Sequence, residues 1–287
     1  MVTQPDGAVV VGVDGSDKDG RAIDWAADEA AARGADLHVL YSFSLLSEGL
    51  GVGPELDVEE LGAEVVDEAR RRVRERHPDL AVTAEILVED PAVALVNASR
   101  RAGVVVVGAR GLGRIAGRLL GSVSQKVVSH AHGVVVVVRD RAVSPDGPVV
   151  IGVDPGHTDS RVLEYGFAQA ARRGVGVQLV HARPARAAAI SDPRLRGTVA
   201  GAADQRAMAL AELAEDWALR HPDVAVDVRD VTHHPVEALT AHSAHACLVV
   251  VGSRARSRLA GLRLGSVAHG VLLECPVVAV VRVPPPA

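Results

Sequence analysis

Aromatic residues are nearly absent from this 287-residue chain, which has two each of Trp, Tyr and Phe. A stacking platform for single-stranded nucleic acid needs a row of such rings, so that function class is excluded. Excess positive charge is missing too: 31 Lys and Arg stand against 36 Asp and Glu, for a formal net charge of −5. No basic field exists to hold a phosphate backbone. Cysteine occurs twice, at Cys247 and Cys275, without metal-like spacing, so neither a disulfide framework nor a thiolate zinc site is expected, and a reducing compartment fits. No apolar run approaches the roughly 20 residues of a spanning helix. The segment from Met1 to Gly7 has no basic stretch followed by an apolar one, so a cytoplasmic, unexported protein is expected.

Enzyme signatures are missing as well. The sequence contains no Gly-x-x-x-x-Gly-Lys-Ser/Thr loop, no Gly-x-Ser-x-Gly elbow and no His-Glu-x-x-His. A non-catalytic binding protein is expected, in which any hydrolysis is slow.

What the chain does have is valine, alanine and an internal repeat. Hydrophobic residues make up 48% of it, and abundant Val beside abundant Ala suits buried parallel strands covered by small-residue helices. Val9-Val10-Val11-Gly12-Val13-Asp14 returns as Val149-Val150-Ile151-Gly152-Val153-Asp154, and Arg33-Gly34 returns as Arg173-Gly174, both 140 positions on. Arg76-His77-Pro78-Asp79 returns as Arg220-His221-Pro222-Asp223, and the block around Gly108 returns around Gly252, both 144 positions on. Preserved order and near-constant spacing indicate one duplication. The polar stretch from Asp140 to Pro148, with two prolines and a glycine, reads as a linker, giving domains over 1–141 and 147–287.

Within the first copy, Val9 to Val13 reads as a strand, followed by Ser16-Asp17 as a helix cap and an Ala-rich helix ending before Gly34. Leu37 to Tyr41 reads as the second strand, Ser47 to Pro54 as a glycine-rich loop, and Val58 to Arg76 as a charged helix. Val82 to Val88 follows as a strand, and Pro91 opens the third helix. Val104 to Val107 is the fourth strand, Ser122 to His130 the fourth helix, and Val134 to Val138 the fifth strand. Strict strand-helix alternation predicts two tandem α/β domains, each a five-stranded, parallel, doubly wound, Rossmann-like sheet.

In such a sheet, ligands bind beyond the carboxyl ends of the strands, where strand order reverses. After the fourth strand the first copy reads Gly108-Ala109-Arg110-Gly111, nine residues, then Gly121-Ser122. Glycines there allow positive φ and a close backbone approach to phosphate, so that amides surround the anion. Gly121-Ser122 adds a helix N-terminus and a hydroxyl. The dipole supplies only about 0.3–1 kcal/mol, so loop amides must contribute most of the affinity.

Taken together, Gly-Val-Asp after the first strand, the Gly-x2-Gly-x9-Gly-Ser loop and the terminal valine strand make the chain resemble a tandem universal stress protein of the ATP-binding branch. The resemblance covers both copies. It implies an ATP-binding stress-response or signalling protein, with Mg2+ accompanying the nucleotide, that regulates an unidentified protein partner according to occupancy. It further implies that Gly12 and Asp14 line the nucleoside, that Gly108, Ala109, Arg110, Gly111, Gly113, Arg114, Gly121 and Ser122 surround phosphate and ribose, and that Tyr41, Ser42 and Val88 lie near adenine. The counterparts are Gly152, Asp154, Gly252, Ser253, Arg254, Gly265 and Ser266. Ala255 stands where a glycine is expected, and if that position needs positive φ the second site is weakened. The apolar strands Val134 to Val138 and Val277 to Val281 resemble the family's dimer edges, which implies an intrachain pseudo-dimer and leaves a homodimer open.

Competing readings stand beside these. Asp14 is either a ligand contact or a cap on its loop. Gly111-x-Gly113-x-x-x-Gly117 also resembles a dinucleotide fingerprint, but it follows the fourth strand, where that motif belongs after the first. The loop arginines suit either phosphate or solvent. His130, His132, His233 and His234 lack ligand partners at metal spacing. An interaction scaffold with vestigial cradles, and a weak ATPase or nucleotidyl transferase, are the alternative functions.

Overall fold

Short valine runs bounded by glycine become strands because β-branched side chains pack well when both faces of a sheet are covered. The computed structural model describes residues 4–44, 58–111, 119–183, 193–253 and 264–283. They divide into two compact units, residues 1–141 and 142–287.

Unit 1 runs β1 (Val9–Val13), α1 (Asp19–Arg33), β2 (Leu37–Phe43), α2 (Val58–Arg76), β3 (Val82–Val88), α3 (Pro91–Ala98), β4 (Val104–Gly108), α4 (Ser122–His130) and β5 (Val135–Val138). Its strand order is β3-β2-β1-β4-β5, all parallel, with Val9 opposite both Leu37 and Val104, and Val105 opposite Val135. α1 packs on α2 and α3 on α4, as expected when the crossovers run one way from β1 and the other way from β4. Strand order therefore reverses between β1 and β4. Val9, Val10, Val11, Val105 and Val106 are fully buried at the centre of the sheet.

Unit 2 repeats the plan with β6 (Val149–Gly152), α5 (Ser160–Arg173), β7 (Val177–Ala182), α6 (Pro193–Arg220), β8 (Val226–Val231), α7 (Pro235–Ser243), β9 (Leu248–Gly252), α8 (Ser266–Glu274) and β10 (Val277–Val281). Its order is β10-β9-β6-β7-β8, again parallel. Phe167, Trp217 and His221 stack with ring centroids 5.0–5.7 Å apart, fixing α5 against α6.

Local departures from the sequence reading have physical causes. β2 runs two residues further, because Ser42 and Phe43 still find partners in Leu87 and Val88. Ser16 and Asp17 do not cap α1. The capping position is Lys18, with no side-chain bond, and Asp19 turns back onto the preceding loop instead. The Ser47 to Pro54 loop lies outside the described residues. Glu29 is fully buried in α1, one turn before its ion-pair partner Arg33; in α5 the same pair is Gln169 with Arg173. The contact is kept while the charge is dispensable.

α3 shows a complete start signal. Asp90 accepts from the amides of Ala92 (2.9 Å) and Val93 (3.2 Å), Pro91 occupies the first turn, and Lys126 of α4 reaches Asp90 at 3.3 Å. Burial opposes ionisation of Asp90, but those amides and Lys126 outweigh it and hold the carboxyl below its ordinary value. Asp90→Ala is expected to cost about 1 kcal/mol, read as a lower urea midpoint at unchanged slope.

Candidate functional site

The carboxyl ends of β1 and β4 flank the reversal of strand order, and the predicted residues of unit 1 gather there. Gly12, between Leu40 and Val107 in the sheet, is pressed by Leu95 of α3, whose Cδ1 would lie 2.9 Å from an added Cβ. Its glycine serves packing. Beyond it, Gly15 turns the chain at φ +80°, with Val65 of α2 against it.

Asp14 and Asp19 organise this turn. Asp14 Oδ1 accepts from the Ser16 amide at 3.0 Å, so the loop-capping reading of Asp14 holds. Asp19 Oδ2 accepts from the amides of Asp14 and Gly15, both at 2.8 Å. Burial first, and then the neighbouring Asp14 charge, push the Asp19 carboxyl up to about 7.

Asp14 also reaches the loop after β4. Its Oδ2 fills the space where a side chain on Gly111 would begin. Gly111 is not among the positive-φ glycines, which corrects the expected reason for a glycine there: the demand is close approach by a carboxylate. That loop leaves and returns through a short clamp. The Ala109 amide donates to Val138 O (2.8 Å), Gly121 N donates to Ala109 O (2.8 Å), and Ser124 Oγ donates to Gly108 O (2.6 Å). Gly121 is the capping residue of α4 and supplies no side-chain bond, so the first-turn amides beside exposed Ser122 keep their donors for a ligand.

A cleft of about 130 Å³ opens beside this clamp, lined by Lys18, Gly108 to Arg110 and Val138 to Asp140. Asp140 pairs with Arg21 at 2.8 Å, and Lys18, Arg110 and Arg139 are the cationic residues of the wall. Ligand pockets for whole small molecules run to roughly 300 Å³ and more. The described walls suit a phosphate-sized group.

Ser42 and Val88 lie at the same end of the sheet, one and two strands beyond β1. Ser42 Oγ is buried and donates to Glu89 O at 2.7 Å, joining β2 to β3, while Val88 is 64% exposed. Gly113 and Arg114 lie outside the described residues. Sequence reasoning missed Asp19, Lys18 and Ser124; the first two read as ordinary residues at a helix start.

Unit 2 keeps the clamp and changes what it presents. Ser253 N donates to Val281 O (2.9 Å) and Gly265 N to Ser253 O (2.9 Å), and Gly265 caps α8 without a side-chain bond beside exposed Ser266. Ser253 itself is 2% exposed, its Oγ accepting from the Val283 amide at 3.1 Å. Gly152 packs against Leu239 as Gly12 does against Leu95. The β6–α5 turn differs: the positive φ moves to Gly156 (+81°), the Asp154 amide donates to Thr158 Oγ1 (2.7 Å), and Asp154 Oδ2 lies 3.7 Å from His157 Nδ1. Ala268 and Gly270 stand where unit 1 has Ser124 and Lys126. Gly252 ends β9 as Gly108 ends β4. Arg254 and Ala255 lie outside the described residues.

Two consecutive parallel doubly wound units, each with a glycine clamp after the fourth strand, define a tandem α/β protein with Rossmann-like halves. The profile of the Universal stress protein family matches residues 7–139 and again 147–282. The chain belongs to that family. Similar proteins include Universal stress protein Rv1996 of Mycobacterium tuberculosis, 34% identical over 303 residues, with 96% of this chain and 95% of the relative covered. Universal stress protein Rv2005c of the same organism is 36% identical over 278 residues, with 92% of each covered. A universal stress protein structure from Archaeoglobus fulgidus has the same fold, with a TM-score of 0.71 at 20% identity over 96% of this chain and 97% of that one. No helix among the described residues is long and apolar enough to cross a membrane.

Proposed function

We propose that unit 1 binds ATP and that the chain regulates a protein partner in the cytoplasm according to nucleotide occupancy. The observation that carries this reading is the side-chain-free start of α4, held against β4 by Gly121 N and Ala109 O and faced by the Asp14–Gly111 contact. Phosphate fits the donors available: first-turn amides, the Ser122 hydroxyl, and Lys18 and Arg110 across the cleft. Gly108, Ala109 and Gly111 shape the backbone of this cradle, with Gly113 and Arg114 extending it by the motif. Gly12 and Asp14 border the nucleoside, and Ser42 and Val88 stand at the adenine end.

Among the described residues no group of His, Cys, Asp and Glu could hold a metal ion. Mg2+ would therefore arrive on the phosphates, its usual mode with nucleotides. Unit 2, through Gly152, Asp154, Gly252, Ser253, Arg254, Gly265 and Ser266, binds more weakly. Its inward Ser253, together with Ala268 and Gly270, favours a scaffold role for that half.

Calorimetric titration with ATP and Mg2+ tests the reading. One tight equivalent per chain is expected, lost in Gly121→Glu. A Cβ at Gly121 meets its nearest atom at 3.4 Å, so the variant folds while its carboxylate repels phosphate from the helix start. A parent chain that binds no ATP, or a variant that binds like the parent, sinks it.

A further inference from the structure

Two consecutive carbonyls at the end of β4 are each met by a donor from the start of α4. Ala109 O accepts from the amide of Gly121, the capping residue, at 2.8 Å, and Gly108 O accepts from the hydroxyl of Ser124, the third helical residue, at 2.6 Å. Ser124 is 4% exposed, so its hydrogen bond is made away from bulk water, where such a bond is strongest. Gly108 and Ala109 both line the phosphate-sized cleft, in which a bare carbonyl would repel an anion.

Unit 2 keeps the first of these bonds and not the second. Gly265 N donates to Ser253 O at 2.9 Å, but Ala268 stands at the place of Ser124 and has no hydroxyl to give Gly252 O. In unit 1 α4 is also tied to the start of α3, by Lys126 on Asp90 at 3.3 Å; the counterparts in unit 2 are Gly270 and His234. One bond at a capping residue is a pivot about which the helix start can tilt, whereas a second bond three residues further on fixes its direction. The unpaired amides and the dipole act on an anion only within the first turn, so that direction decides whether they reach it.

We propose that Ser124 is a positioning residue of the unit 1 cradle: without touching the ligand, its hydroxyl holds the first-turn amides of α4 on the cleft and so sets the affinity for the phosphates of a nucleotide. This rests on the nucleotide reading of unit 1. It also gives the weaker binding of unit 2 a cause at Ala268, in the same helix turn. Such a residue acts by preorganisation, as a supporting contact behind the groups that meet the ligand.

The test is calorimetry of the full chain with ATP and Mg2+, read beside urea unfolding. Ser124→Ala folds, since unit 2 forms α8 with Ala268 in that place, and it is expected to weaken ATP binding by roughly three- to tenfold, the worth of one hydrogen bond. Ser124→Thr keeps the hydroxyl and is expected to bind within about twofold of the parent. Val127→Ala removes two methyl groups from the fully buried side of α4; it lowers the urea midpoint at least as far as Ser124→Ala and leaves ATP affinity at the parent's value. Parent-like affinity in Ser124→Ala overturns the proposal, as does a Ser124→Thr that binds as weakly as Ser124→Ala. An equal loss of affinity in Val127→Ala also overturns it, by assigning the effect to general loosening of α4. A parent chain that binds no ATP overturns the nucleotide reading and this proposal with it.

Discussion

Asp19→Asn is expected to stabilise the protein at pH 8 and to leave it nearly unchanged at about pH 4. A carboxyl that titrates at 3.8 when unfolded and at about 7 when folded binds more protons in the folded state between those values, so stability falls as pH rises through that window. Below it both states are protonated, and above it the full penalty of an ionised, buried carboxyl persists. At 1.36 kcal/mol for each tenfold change, the ceiling is about 4 kcal/mol. Asparagine keeps an oxygen for the amides of Asp14 and Gly15 and carries no charge, so it removes the penalty while preserving the turn. The measurement is the difference in unfolding free energy between variant and parent across that range, which cancels every other titrating group. A difference that stays flat with pH would show that Asp19 ionises normally in the folded chain.

Such a stabilising substitution at a turn beside the cradle is what a functional site predicts, since selection keeps costly groups where they act. The turn itself was poorly legible in the sequence. Ser16-Asp17 offered a better capping signal than Lys18, and Asp19 read as one more acidic residue in a first helical turn. What decided the outcome was tertiary: Val65 of α2 presses Gly15, and Asp19 brings the acceptor for the backbone amides of Asp14 and Gly15.

The strands, by contrast, were readable to within two residues. Unbroken valine runs between glycine and polar turns admit few alternatives, and the repeat tested each assignment twice. The Gly108 to Ser122 cradle was also visible as spacing. Its reason was not, because a glycine selected for positive φ and one selected for the approach of a distant carboxylate look the same in one dimension.

The two units therefore share a fold and diverge in chemistry at matched positions. β1 and β6 end alike, yet Pro155 moves the turn glycine one residue on, to Gly156. Once that turn moves, Thr158 supplies the acceptor and Asp154 lies beside His157. Ala255 stands in the sequence where the first copy has Gly111, and it lies outside the described residues.

Gly111→Ala makes this argument quantitative. The new Cβ would overlap Asp14 Oδ2, so Asp14 must rotate away and give up the Ser16 amide. A cost of about 1–3 kcal/mol in stability is expected from the forced shift, and ATP affinity in unit 1 should fall by at least about tenfold, since the cradle and the nucleoside side of the site move apart. A double-mutant cycle separates this from generic loop damage. If the Asp14–Gly111 contact is the cause, Asp14→Ala relieves the strain, and the stability loss of Gly111→Ala shrinks by about 1 kcal/mol or more in that background. Additive losses would mean that Gly111 is required for another reason. The reverse change, Ala255→Gly, should restore little binding to unit 2, because Asp154 there is already committed to a different turn.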